Sequence, residues 1–225
     1  MKQLLLEITP ESPPTLTNFL PGRNAEVLHM LKHIIAGQEQ ERFIYLWGGL
    51  GCGKSHLLQA VIDTYMQNNS KAVYFACGIH SQFSIDDDMD CIAVDDVGRL
   101  DALAQIRLFN LYNQIRDEGH AFLLVSGPVA PLHLSMRQDL VTRLGWGLVY
   151  QVHELSDEEK VQAMQSHASS CGFELPQEIC NYLLRHGRRD LPSLMATIDA
   201  LDRYSLVNQR QITIPLLREL LQRTS

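Results

Sequence analysis

Gly48-Gly49-Leu50-Gly51-Cys52-Gly53-Lys54-Ser55 fits the pattern GxxxxGK[ST] in full, and each constrained position has a chemical reason. Glycines let the backbone curl until successive N–H groups point at one phosphate, and a helix opening at Lys54–Ser55 adds its partial positive charge. Lys54 is placed to bridge the β- and γ-phosphates of a nucleotide, and Ser55 to offer its hydroxyl to Mg²⁺. Cys52 reads as a small filler rather than a reactive thiol, and His56 follows at once on the helix. The loop predicts ADP or ATP with Mg²⁺.

A second acidic element completes that chemistry. Cys91-Ile92-Ala93-Val94 is an apolar run ending in Asp95-Asp96, the Walker B arrangement. Asp95 is expected to hold Mg²⁺ through water and Asp96 to orient an attacking water. Many ATPases carry Glu at the second position, so Asp96 is one methylene short. Asp86-Asp87-Asp88 and Asp90 lie just upstream and read as a solvated acidic loop, not a metal cluster.

The elements around these residues follow from hydrophobic periodicity. Phe43–Trp47, Ala72–Ala76, Cys91–Val94 and Phe122–Val125 are short runs with few charges, as strands buried on both faces read. Helical patterns at Lys54–Met66 and Ala102–Arg116 alternate with them, and Ala25–Ile35 is a further helix. Strand and helix in alternation predict an α/β fold with a parallel sheet. Residues 9–21 contain four prolines and are expected to form an extended leader without a core of its own.

After Val152 the pattern becomes all-helical. Ser156-Asp157-Glu158-Glu159 is a capping box opening a helix to about Cys171, stopped by Gly172. Pro176–Arg185, a helix from Pro192, and Pro215–Leu221 follow. The expected organisation is a tail (1–8), an α/β nucleotide-binding domain (9–155) and a helical lid (156–225).

Composition narrows the partners. The chain has 225 residues, 45% of them apolar, and a net charge of −7, which is ordinary for a folded protein and argues against sequence-specific DNA binding through a basic surface. Residues 1–155 carry a net −6 and residues 156–225 a net −1, so neither half is a basic module. Five cysteines without a CxxC pair suit reduced thiols, and Glu7 ends the apolar start after three leucines. No membrane segment is evident, and a cytoplasmic location is expected.

Thr15-Leu16-Thr17-Asn18-Phe19-Leu20-Pro21-Gly22, the phosphate loop with His56-Leu57-Leu58, Val94-Asp95-Asp96-Val97 and Thr142-Arg143-Leu144-Gly145-Trp146-Gly147-Leu148 resemble the AAA+ domain of the bacterial replication initiator DnaA. The resemblance implies an AAA+ P-loop NTPase core followed by a small all-helical lid. It also implies that Arg143 is an arginine finger acting in trans and Arg189 a lid arginine reaching the nucleotide, with Arg188 its competitor. The polar residue usual after the fourth strand is here Ser126, before Gly127-Pro128, which predicts weak intrinsic hydrolysis.

Gln3-Leu4-Leu5-Leu6 resembles peptides that dock into the sliding clamp of DNA polymerase III, although Glu7 stands where an apolar residue is usual and Ile8 follows. Phe173–Pro176 and Gln209–Pro215 resemble the lid of the Hda class of DnaA-related regulators, and the sequence ends at Ser225 without room for an initiator's DNA-reading domain. These resemblances imply a regulator that promotes hydrolysis of DnaA-bound ATP. Its expected partners are DnaA, the clamp through Gln3, Leu4 and Leu6, and further AAA+ subunits by self-association. An autonomous small ATPase of the helicase-loader kind is the alternative, and a DNA-binding pseudo-initiator is disfavoured by the charge.

Overall fold

The computed structural model describes residues 13–78, 88–119 and 121–224. These residues group into two compact units, one spanning residues 13–154 and one beginning at Leu155.

The first unit contains α1 (Ala25–Ile35), β1 (Phe43–Trp47), α2 (Lys54–Gln67), β2 (Ala72–Ala76), β3 (Cys91–Asp95), α3 (Ala102–Glu118), β4 (Phe122–Gly127), α4 (Gln138–Leu144) and β5 (Leu148–Gln151). Short 3₁₀ turns lie at Gly22–Asn24, Val97–Arg99 and Pro131–His133. The strands form one sheet in the order β2-β3-β4-β1-β5, and every pairing is parallel. β1 therefore sits between β4 and β5, and Trp47 lies opposite Gly127.

Alternation along the strands sends side chains to two cores. Ile44 and Leu46 pack with Leu31 and Ile34 of α1 and with Leu57, Leu58 and Val61 of α2. Tyr45, Ile92, Val94, Leu123 and Val125 pack with Leu108 and Ile115 of α3 and with Leu140 and Leu144 of α4. Helices thus cover both faces, which is why these runs carry so little polarity. Fully burying one such side chain is worth roughly 1.5–3 kcal/mol.

Two elements have no counterpart in the sequence reading. β5 alternates half-buried and exposed residues over only four positions, so an edge strand was indistinguishable from a loop. α4 is seven residues long, barely two turns. The leader contributes to the α1–α2 core rather than forming one of its own: Phe19 is buried among these residues.

One further residue ties the start of this unit to its end. Asn24 is 2% exposed; its Nδ2 donates to the His153 carbonyl at 2.8 Å, and its Oδ1 accepts from the His153 N–H at 2.7 Å. The amide thus mimics one more peptide pairing at the end of β5. Asn24→Ala leaves both backbone groups without this partner, and it is expected to cost about 2–3 kcal/mol, read as a lower midpoint in urea unfolding.

The second unit consists of α5 (Asp157–Ser170), α6 (Gln177–His186), α7 (Leu191–Asn208) and α8 (Ile214–Thr224). Its own core joins Met164, Ile179, Leu183, Ile198, Leu201, Leu216 and Leu217. The capping box forms in both directions: Ser156 Oγ accepts from the Glu159 N–H and Glu159 Oε2 from the Ser156 N–H. Gly172 takes φ +90° after α5, a conformation that costs glycine little. Pro176 caps α6 from outside, and Asp190 Oδ1 caps α7 by accepting from the Ser193 N–H. No helix among the described residues is long and apolar enough to cross a membrane.

Candidate functional site

The phosphate loop links the end of β1 to the start of α2. Gly48 is required by close approach, because a Cβ there would stand 2.3 Å from the Val152 carbonyl oxygen. Gly53 has φ +100°, and a Cβ would stand 2.7 Å from the Phe19 ring. The leader is therefore seated directly on the last glycine of the loop. At Gly49 and Gly51 nothing lies within 4 Å of the corresponding Cβ position, and Leu50 is fully exposed. The middle of the loop faces open space, as a phosphate cradle must.

Lys54 Nζ donates to the carbonyl oxygens of Gly48 and Gly49, each at 2.8 Å, with Cys52 Sγ at 3.5 Å. The ammonium is thus held over its own loop. Cys52 is buried, consistent with a filler.

Asp95, at the end of β3, is buried and engaged at both oxygens. The Tyr74 hydroxyl donates to Oδ2 at 2.6 Å, and Ser126 Oγ donates to Oδ1. Burial first and this bond to Asp95 second raise the pKa of the Tyr74 hydroxyl. Tyr74 therefore anchors the Walker B acid from the adjacent strand β2. Ser55 and Asp95 supply oxygen donors, which suit Mg²⁺.

Asp96 stands in the left-handed region at φ 59°, ψ 56°, a conformation that costs a non-glycine residue about 1–3 kcal/mol. Its N–H donates to Ser126 Oγ at 2.9 Å, and its carboxylate pairs with Arg99 at 3.1 Å. Ser126 is fully buried and spends its hydroxyl between the two acids. It positions them rather than facing a phosphate.

His56, expected among the nucleotide-binding residues, has its side chain against the leader. Its Nε2 lies 2.9 Å from the Thr15 carbonyl oxygen, and its ring packs against Phe19. Adjacent to the loop in sequence, it pins the leader.

Arg143 is the penultimate residue of α4. Its guanidinium carbon lies 4.0 Å from the Trp146 ring centroid, 5.7 Å from Phe109 and 5.9 Å from Tyr112. Burial pushes the Tyr112 phenol up to about 12, so this ring stays neutral beneath the cation. Nη1 of Arg143 is buried without a hydrogen-bond partner, and Asp139 pairs with Arg137 at 2.7 Å instead.

Arg189 and Arg188 have partners within the helical unit. Arg189 Nη2 bonds Asp157, and its Nη1 donates to the Leu184 carbonyl at 3.2 Å. Arg188 meets Asp190 at 3.3 Å and is 82% exposed. Gln3, Leu4 and Leu6, with Glu7 and Ile8, lie outside the described residues. Tyr74, Phe19 and Asn24 escaped the sequence reading. Tyr74 is hidden inside an apolar strand run, and only its place beside the Walker B strand would have marked it.

A phosphate loop after the inner strand β1, an acidic residue ending the next strand but one, and helices on both faces are the arrangement of an AAA+ P-loop core. Residues 12–151 match the family model for the bacterial DnaA ATPase domain, and residues 157–221 match that for the Hda lid domain. The chain belongs to the bacterial DnaA ATPase domain family.

Solved structures agree on the fold. Domain III of the replication initiation protein DnaA from Thermotoga maritima is similar with a TM-score of 0.74 at 24% identity, over 95% of this chain and 98% of that one. AMPPCP-bound DnaA from Aquifex aeolicus gives 0.69 at 20% identity, over 87% of this chain and 66% of that one. The Holliday junction branch migration motor RuvB from T. maritima gives 0.68 at 14% identity, over 93% and 72%.

Proposed function

We propose that the protein regulates replication initiation by promoting hydrolysis of DnaA-bound ATP, leaving the initiator in its inactive ADP form. The observation that carries this reading is the union of a DnaA-type ATPase unit with an Hda-type lid in one chain. A nucleotide, ADP or ATP, would be held by Gly48–Ser55 with Lys54 on its phosphates, and Arg189 would join it from the lid. When bound, Mg²⁺ would neutralise phosphate charge, with Ser55 and Asp95 as its oxygen partners. Arg143 would act on the nucleotide of a neighbouring DnaA subunit through AAA+ contacts. Gln3, Leu4 and Leu6 would dock on the DNA polymerase III sliding clamp, so that DNA is reached through the clamp in the cytoplasm without base-specific contacts.

The test combines purified protein with clamp loaded on DNA and measures the loss of ATP from DnaA. Acceleration is expected with both components present. Deleting residues 2–8 should remove both the acceleration and retention on immobilised clamp. No acceleration by the complete mixture would overturn the proposal. Intact Lys54 and Asp95 favour an autonomous ATPase as a second reading, which requires brisk turnover by the protein alone.

A further inference from the structure

We propose that His167, Cys171 and Asp199 form a site for a divalent transition-metal ion of the Zn²⁺ type on the surface of the helical unit. This site lies wholly within α5, its C-terminal cap and α7, and it owes nothing to the nucleotide chemistry.

The ligand set follows from helix geometry. His167 and Cys171 are four residues apart, which puts them on one face of a helix. The Cys171 N–H still donates to the His167 carbonyl at 3.1 Å, so the helical spacing persists to the thiol. From α7, Asp199 meets them: its Oδ1 lies 2.6 Å from His167 Nε2 and 4.0 Å from Cys171 Sγ. One ligand atom from each residue lies within 4.8 Å of the others. A tetrahedral Zn²⁺ with one N, one O and one S ligand sets these separations at roughly 3.3–3.6 Å. The bonded His–Asp pair therefore opens by about 0.7 Å and the thiol closes on Asp199 by about 0.5 Å, within the reach of side-chain rotation.

The chemistry selects the ion. Imidazole, thiolate and carboxylate together suit Zn²⁺ and its close relatives, whereas Mg²⁺ and Ca²⁺ require oxygen. Cys171 is exposed while Cys52, Cys77, Cys91 and Cys180 are buried, so it is the one thiol that an ion can reach from solvent. The side chains of His167 and Asp199 keep 30% and 34% exposure, leaving a fourth position for water or a partner's ligand. The negative end of the α5 dipole also favours a cation here. Bound metal would staple the end of α5 to α7.

Co²⁺ is the probe, added to the metal-stripped full chain with excess Mg²⁺ present. One equivalent should bind and produce sulfur-to-cobalt charge-transfer absorption, which Zn²⁺ then displaces. Cys171→Ser should abolish that absorption, and Asp199→Asn and His167→Gln should each weaken binding at least tenfold. Cys171 is exposed, so its serine variant should keep the wild-type far-ultraviolet circular dichroism. Absence of saturable binding overturns the proposal, and so does a charge-transfer band that survives Cys171→Ser.

Discussion

Arg143→Ala should lower the stimulation of DnaA-bound ATP hydrolysis by about 10³-fold or more, while the protein's own affinity for nucleotide stays unchanged. The expectation rests on two magnitudes. A finger supplied in trans contributes about 10³–10⁵ in rate, equivalent to roughly 4–7 kcal/mol. The resting place of Arg143 is weaker: a cation–π stack of this kind is worth about 0.5–2 kcal/mol, and Nη1 has no hydrogen bond to surrender. Leaving Trp146 therefore costs less than reaching a phosphoryl group gains. The aromatic platform keeps the side chain extended and charged without a carboxylate that would neutralise it, since Asp139 is taken by Arg137. Arg143→Lys should fail to rescue, because a point charge lacks the planar fork. Single-turnover hydrolysis by DnaA measures the effect, and equal stimulation by wild type and Arg143→Ala would remove Arg143 from the mechanism.

Gly147→Ala should destabilise the ATPase unit by more than about 3 kcal/mol, near the upper end for single substitutions. A Cβ at this position would lie 2.1 Å from the Phe43 carbonyl oxygen, 2.7 Å from the Phe43 Cβ and 2.8 Å from its carbonyl carbon. Two of these atoms are backbone at the start of β1 and cannot rotate aside. Relief requires β5 to move from β1, which loosens the pairing of Ile44–Trp47 with Leu148–Gln151 and the Val152 N–H bond to Trp47. Thermal denaturation should show a midpoint lower by roughly 6–12 °C. Gly145→Ala provides the internal contrast: its nearest neighbours are 3.6 Å away and its φ is −90°, so its midpoint should stay close to that of the wild type. A normal melting midpoint for Gly147→Ala would contradict the tight β1–β5 contact.

These two residues show what was legible in the sequence. The RLGWG segment was recognisable as a family signature, yet nothing in the string says that its second glycine exists for a backbone contact with Phe43. The four inner and flanking strands were readable because both faces of the sheet are covered and their runs are nearly apolar. β5 was not, because it has only four residues and they alternate between half-buried and exposed. The phosphate loop was legible for a different reason: phosphate chemistry dictates residue types at fixed spacing. Tyr74, whose hydroxyl holds Asp95, has no such spacing, and its place in an apolar strand disguises it. The contact of the His56 ring with the Thr15 carbonyl was equally invisible, since it depends on where the leader folds. Arg189 could be placed on the chain, but its partners Asp157 and Leu184 depend on how α5 and α6 pack.

The position of β1 in the sheet has a consequence for biosynthesis. β1 is made first of the five strands, yet its only partners are β4 and β5, the last two to leave the ribosome. A nascent chain ending before Phe122 can pair β2 with β3 while β1 still lacks both neighbours. The phosphate loop hangs from β1, and its first glycine is fitted against Val152. Nucleotide is therefore not expected to rescue an incomplete chain: the loop is fitted against residue 152, and until that residue is added β1, apolar at every position, depends on chaperones or on speed of synthesis to stay soluble.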